Sequence, residues 1–368
     1  MAAQASLGKI SGDAIRVYTE GDELYADMLA AIRSARRCVK FESYIFAHDE
    51  VGKRFIEALV ERAQAGVQVL VYIDAVGSLF SGPHEVERAL KGGGVEVRWF
   101  QRWNWRDPAR YNRRNHRKLL VVDGRVAFFG GFNIHRENSL STFGETRWRD
   151  THIRVTGLLA RTLQKFFDAF WRSRVLPYPE VDVQGGFQFI TNHSLRGRRY
   201  LHRLYGEKFA AAKHSIHLTT PYFVPDARTR RALARAARRG VQVQLLVPHR
   251  IDETLARVVQ WAAHAAYGGL LRAGVEIHEY LPRMLHAKTL VVDGDWCTVG
   301  TANVDYRSFF LNYELTLAST DKALVDRLEA DFQADLEQSI RIQSKRWERR
   351  DRWRRLLETF GWAVRHWL

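Results

Sequence analysis

His116-Arg117-Lys118-Leu119-Leu120-Val121-Val122-Asp123 and His286-Ala287-Lys288-Thr289-Leu290-Val291-Val292-Asp293 are two copies of one pattern in a chain of 368 residues. Each is followed by a small-residue turn that ends in Asn: Gly130-Gly131-Phe132-Asn133, then Gly300-Thr301-Ala302-Asn303. The offset is constant: 286 follows 116, 293 follows 123 and 303 follows 133 by the same 170 residues. A shared offset at so many positions reads as a duplicated unit. Between His and Asp the residues are mostly β-branched or apolar, and Asp-Gly follows, which predicts a buried strand ending in a turn. His and Lys two apart on such a strand share a face, so each copy can present an imidazole beside an ammonium.

The repeat extends outward from these strings. Cys38-Val39-Lys40-Phe41-Glu42-Ser43-Tyr44-Ile45-Phe46 resembles Ser215-Ile216-His217-Leu218-Thr219-Thr220-Pro221-Tyr222-Phe223. Gly66-Val67-Gln68-Val69-Leu70-Val71 matches Gly240-Val241-Gln242-Val243-Gln244-Leu245, and Gly94-Val95-Glu96-Val97 matches Gly274-Val275-Glu276-Ile277. Helical patterns at 52–65 and 227–239 separate these strands. Strands alternating with helices predict an α/β class, a sheet with helices on both faces in each half. The expected divisions are an N-terminal lobe over 1–180, a C-terminal lobe over 187–339 and a tail over 340–368. The stretch from Pro177-Tyr178-Pro179 to Gly185-Gly186 reads as the linker.

Two His and two Lys gathered from two lobes can exchange a phosphodiester without a metal. One imidazole can attack phosphorus and the other can protonate the departing oxygen. The ammonium groups can hold the non-bridging oxygens, and the Asn amides can donate to them.

The doubled His-x-Lys-(four residues)-Asp string, with Gly-Gly-x-Asn and Gly-Thr-x-Asn, resembles the phospholipase D superfamily over roughly Ile15 to Leu336. The resemblance implies two similar α/β/α sandwich lobes with one active site between them. It implies His116, Lys118, Asn133, His286, Lys288 and Asn303 as catalytic residues, with His116 the nucleophile, His286 the acid and base, and no cofactor or metal. Asp123 and Asp293, five residues beyond each Lys, are expected to be structural. Two later acids, in Trp148-Arg149-Asp150-Thr151-His152 and Asn312-Tyr313-Glu314, are expected to orient the imidazoles: Asp150 for His116 and Glu314 for His286. Those strings, with Asn115-His116-Arg117-Lys118 and Gly300-Thr301-Ala302-Asn303-Val304-Asp305-Tyr306-Arg307-Ser308-Phe309, are similar to one branch, the bacterial cardiolipin synthases. The form resembled is the shorter, peripheral one without spanning helices at its start. The implied reaction is phosphatidyl transfer from phosphatidylglycerol or phosphatidylethanolamine to phosphatidylglycerol. The alternative is a phosphodiesterase that hydrolyses phospholipid or nucleic acid.

Composition narrows the partners. Lys and Arg number 57 against 41 Asp and Glu, a net charge of +16, which suits nucleic acid or an anionic membrane; the resemblance implies anionic phospholipid substrates and a membrane surface, with nucleic acid unlikely. No stretch approaches the ~18 consecutive apolar residues of a spanning helix. The first residues carry neither a leader nor an anchor pattern. Cys38 and Cys297 lie in apolar, strand-like surroundings and suit a reducing compartment. The expected location is the cytoplasmic side of the cell membrane. From 340 onward the tail carries nine Lys/Arg, three acids and four Trp. Trp353, Leu356, Leu357, Phe360, Val364, Trp367 and Leu368 would share one helical face. Such a basic amphipathic helix either lies in a lipid headgroup layer or docks on protein. Trp99 to Arg114, aromatic and basic, is expected to be a loop at the rim of the site. The sequence carries no signal of oligomeric state.

Overall fold

The computed structural model describes residues 7–10, 13–103, 105–106, 111–172, 182–183, 186–251, 256–349 and 351–364. The β-branched segments form two mixed sheets. The first runs, edge to edge, Leu7–Ile10, Asp13–Tyr18, His152–Thr156, Val126–Gly130, Leu119–Val122, Cys38–Ser43, Gln68–Asp74, Glu96–Phe100. The second runs Asp182–Val183, Phe187–Thr191, Leu315–Ser319, Trp296–Gly300, Thr289–Val292, Ser215–Thr219, Gln242–Pro248, Glu276–Tyr280, Ser339–Arg341. Seven strands of each sheet follow one order. In both, the last three of those seven are parallel and the others pair antiparallel. The duplication inferred from spacing is therefore a duplication of topology.

Alternation along the strands sets the layers. Leu120 and Val122 face the outer core of the first lobe, under the helices Gly21–Arg33 and Glu50–Gln64. Leu290 and Val292 do the same in the second lobe, under Leu195–Ala211 and Ala227–Arg238. Leu119, Val121 and Val291 face inward, where one apolar core is shared by Phe129 and Leu163 of the first half and Phe189, Val299 and Leu324 of the second. Full burial of each such side chain stabilises by about 1.5–3 kcal/mol. This shared core joins the halves.

Both motif strands end in the same device. Asp123-Gly124 and Asp293-Gly294 are left-handed pairs, with φ of 54° and 65°, then 54° and 66°, the backbone that a tight hairpin needs. The Asp123 carboxylate accepts from the N–H groups of Arg36, Arg37 and Cys38 at 2.9, 2.8 and 2.9 Å. Asp293 accepts from Lys213, His214 and Ser215 at 2.9, 2.7 and 2.9 Å. Each motif acid thus fastens its hairpin to the start of the neighbouring strand, at the far end from the His.

Three expectations are adjusted. Part of the expected linker, Asp182–Val183, pairs as an edge strand with Phe187 and Gln188; 173–181 and 184–185 lie outside the described residues. Trp99 and Phe100 close the strand Glu96–Phe100 instead of opening a loop, because Ile73 and Asp74 offer them a parallel partner. Trp103 and Trp105 beyond it are exposed, and 104 and 107–110 are outside the described residues.

The C-terminal helix, Arg352–Val364, packs on the helix Ala256–Arg272, but not through the expected face. Glu358 and Gly361 are buried, and Trp362 joins the second-lobe core beneath the Arg230 guanidinium, 4.5 Å from its ring. A Cβ at Gly361 would strike Ala262 and Trp261, so the glycine sets the close approach and the rotation of the helix. Trp353 and Phe360, one side of the predicted stripe, remain 70% and 55% exposed. Trp367 and Leu368 lie outside the described residues.

Candidate active site

Two short parallel bridges between the lobes build the site. Asn115 pairs with Tyr313, and Arg149 pairs with Leu285. In the first, the His116 N–H donates to the Tyr313 carbonyl (2.9 Å) and the Tyr313 N–H to Arg114 (2.8 Å). In the second, the His286 N–H donates to Arg149 (2.7 Å) and the Arg149 N–H to Met284 (2.8 Å). Each His therefore enters the site beside the strand start that carries the other lobe's acid.

The pairing of acids and imidazoles is consequently crossed. His116 Nδ1 lies 3.0 Å from Glu314 Oε2, and His286 Nδ1 lies 2.5 Å from Asp150 Oδ2. This corrects the expectation that Asp150 serves His116 and Glu314 serves His286. Sequence order places each acid after its own lobe's His, but the bridges exchange them across the interface.

Both acids are almost wholly buried, and their surroundings fix them. The hydroxyls of Thr301 (2.5 Å) and Ser308 (2.8 Å) donate to the two Glu314 oxygens, and the Glu314 N–H donates to Asn192 Oδ1 (2.5 Å). Asp150 accepts from the Thr151 N–H at 2.7 Å, and Lys288 Nζ stands 3.9 Å from its other oxygen. A Cβ on Gly131 would overlap the Asp150 carboxylate, so the second glycine of Gly130-Gly131 is the space that this acid occupies.

Burial and charge set the protonation states. Burial, reinforced by the Lys288 cation, pushes His286 down to about 3. Burial also moves His116 down, against the attraction of Glu314. Burial would raise Asp150 and Glu314, but Lys288 with His286, and His116 with Lys118, hold them below the usual carboxylate range. The resting site is thus two carboxylates and two neutral imidazoles. Each Nδ1–H donates to its acid, which leaves Nε2 for the reaction. Burial and mutual repulsion push Lys118 down to about 7, and burial pushes Lys288 down to about 8. Each ammonium donates to the carbonyl of its own His, Lys118 at 2.7 Å. The two Lys precede the strands, which begin only at Leu119 and Thr289.

His116 and His286 line one cavity of about 210 Å³, with Asn133 and Asn303 in the same wall. All eight expected site side chains therefore meet at the lobe interface, while Asp123 and Asp293 do not reach it. Sequence reasoning missed several neighbours. The Tyr44 ring packs edge-on to His116 at 4.9 Å, Tyr222 to His286 at 6.3 Å, and Trp148 lies 5.1 Å from His286. Asp305, Arg307 and Asn312 also line the cavity. Tyr44 and Tyr222 fall one place apart in the aligned strand segments, Tyr44 opposite Pro221 and Tyr222 opposite Ile45, so the repeat gives no signal that pairs them. A wider groove of about 940 Å³ adjoins the cavity at Tyr44, Ile45 and Trp148, and its rim carries the exposed Leu79 and Phe80.

Sequence comparison adds the family. The domain described as "Cardiolipin synthase, PLD-like domain" matches residues 28–171 and 205–336, one stretch in each lobe. The chain belongs to this family. A probable cardiolipin synthase of Bacillus subtilis, YwiE, is 34% identical across 89% of this chain and 67% of its own length. Cardiolipin synthase A of Pseudomonas entomophila is 34% identical (93% and 73%), and a cardiolipin synthase of Geobacillus kaustophilus 36% (91% and 68%). The fold is shared more widely. A phosphatidylserine synthase from Haemophilus influenzae superposes with a TM-score of 0.73 over 99% of this chain and 96% of that one, at 14% identity. A polyphosphate kinase from Porphyromonas gingivalis gives 0.62, over 90% and 49%, also at 14%.

Proposed function

We propose that this protein is a cardiolipin synthase that moves a phosphatidyl group from phosphatidylglycerol, or phosphatidylethanolamine, to phosphatidylglycerol. The observation that carries the chemistry is the crossed site: two neutral imidazoles on one cavity, each with Nδ1 committed to a buried carboxylate. That arrangement suits a nucleophile and an acid/base. The names of the relatives supply the substrate.

In this reading Lys118 and Lys288 hold the phosphodiester, with the Asn133 and Asn303 amides beside it. The bound anion raises the proton affinity of His286, which takes up a proton. His116 Nε2 attacks phosphorus. The phosphorus–oxygen bond to the headgroup breaks, and His286 gives its proton to the departing alcohol. The hydroxyl of a second phosphatidylglycerol then gives its proton to His286 and attacks the phosphohistidine. The phosphorus–nitrogen bond breaks and His116 is restored. The assignment of His116 as nucleophile and His286 as acid and base follows the family resemblance. One phosphodiester replaces another, so no external energy source is needed. Exclusion of water favours transfer over hydrolysis.

The protein would act as a peripheral enzyme on the cytoplasmic side of the cell membrane. Three features support this: the +16 charge, the exposed Trp353 and Phe360 on a basic helix, and two free cysteines. Among the described residues no helix is long and apolar enough to cross a membrane.

The test is incubation with phosphatidylglycerol vesicles, with and without phosphatidylethanolamine, followed by lipid analysis. Cardiolipin is the expected product, unaffected by a chelator. His116→Ala and His286→Ala should each lower the rate by about 10⁴-fold or more. Recovery of phosphatidic acid alone would replace the synthase with a hydrolase.

A further inference from the structure

Most of the polar wall of the reaction cavity suits an anion. Asp305 does not. It is 8% exposed and lines the cavity with both imidazoles, and its charge is felt at Lys288. A carboxylate there opposes phosphodiester binding unless it meets a hydrogen-bond donor of the substrate. Its role in the fold accounts for one oxygen: Oδ1 accepts from the Ser308 N–H at 2.7 Å and caps the short helix Tyr306–Phe310. The Asn303 amide also donates to this carboxylate. Burial and the nearby Glu314 push the Asp305 carboxyl up to about 6, so it is still mostly ionised at neutral pH.

The feature is one-sided. The position 170 residues earlier holds His135, which turns to Glu137 (2.5 Å) and lines the outer groove instead. The duplicated halves share their catalytic groups but not this wall. Arg307 lies on the Asp305 side, its guanidinium donating to the Asn112 side chain (2.9 Å) and carbonyl (2.7 Å) across the lobe interface. A wall with one acceptor and one cation matches a polyol phosphate: a hydroxyl for the carboxylate, a phosphate for the guanidinium.

Building on the function above, we propose that Asp305 and Arg307 form the acceptor subsite. Asp305 accepts a hydrogen bond from the non-reacting hydroxyl of the acceptor glycerol, and Arg307 pairs with the acceptor's own phosphate. The subsite selects a vicinal diol over water and monohydric alcohols, because an acceptor without that hydroxyl leaves the carboxylate unmatched.

A competition assay tests this. Phosphatidylglycerol vesicles are offered equimolar isotope-labelled glycerol and 1-propanol, and the ratio of labelled phosphatidylglycerol to phosphatidylpropanol is read. Because both products form in one tube, the ratio is independent of any loss of overall rate. The wild type should favour glycerol. Asp305→Asn, which keeps a helix cap, should lower the ratio about tenfold. Asp305→Ser, a cap too short to reach the acceptor, should bring the ratio close to 1. An unchanged ratio in both variants, or no preference in the wild type, overturns the subsite while leaving the transferase intact. Absence of both phosphatidyl alcohols with the wild type, and phosphatidic acid alone, would instead overturn the transferase reading and the subsite with it.

Discussion

The two halves of the site reach the same end by different means. In the first lobe the turn Gly130-Gly131-Phe132-Asn133 gives up a side chain so that Asp150, a short acid, can lie against the backbone. In the second lobe Gly300-Thr301-Ala302-Asn303 keeps a hydroxyl, and Thr301 donates it to the longer Glu314. Residues 131 and 301 are equivalent by the repeat, and each is matched to its own lobe's acid. Each acid is then spent on the other lobe's His. The backbone is repeated, while acid and turn residue differ together between the lobes.

The largest expected effects break the acid pairs themselves. Asp150→Asn and Glu314→Gln should each lower turnover by about 10³–10⁴-fold, as when a buried carboxylate orienting a catalytic imidazole is neutralised. In single-turnover measurement both variants should slow formation of the phosphoenzyme, because His286 protonates the departing alcohol in the step in which His116 attacks. Formation of the phosphoenzyme at the wild-type rate in either variant would remove that acid from the mechanism.

The matched turn residues come next. Gly131→Ala pushes the Asp150 carboxylate off the His286 ring and should cost about 100-fold in kcat. Thr301→Val removes one of several donors to Glu314 and should cost about tenfold. Equal losses would mean that the two turns are not specialised for their acids.

The lysines give a pH test. Both are cationic only below their lowered values, about 7 for Lys118 and about 8 for Lys288. As pH rises through 7–8 they lose charge, so kcat/KM for the anionic lipid should fall. Lys118→Arg, charged throughout, should move that alkaline limb upward, to the Lys288 step. A limb unmoved by this change would assign it to another group.

The smallest effect concerns the C-terminal helix. Trp353→Ser with Phe360→Ser should weaken binding to anionic vesicles by about tenfold, measured by co-sedimentation. Unchanged binding would leave the helix with its packing role alone.

Much of this was legible in the sequence. A constant offset gave the duplicated topology, residue chemistry gave the two His, two Lys and two Asn, and the family resemblance gave Asp150 and Glu314. The pairing was not, because spacing along a chain says nothing about which face of an interface an element crosses. Only the bridges at Asn115 and Arg149 decide that. The tail is similar: periodicity groups Trp353 and Phe360 on one face without saying whether that face meets lipid or protein, and the close approach at Gly361 decides the rotation. Asp305 stands in the string similar to the cardiolipin synthases, but in sequence a helix-capping acid looks the same whether or not a cavity lies beside it.

The crossing of acids and imidazoles between the lobes also bears on the history of each molecule. A half by itself would hold an imidazole with no acid to steer it and an acid with no imidazole to steer. A nascent chain therefore stays chemically silent until Glu314 has emerged and the second half has closed on the first. On the proposed mechanism, phosphodiester exchange requires both halves closed on each other, and a half-unfolded molecule cannot turn on membrane lipids.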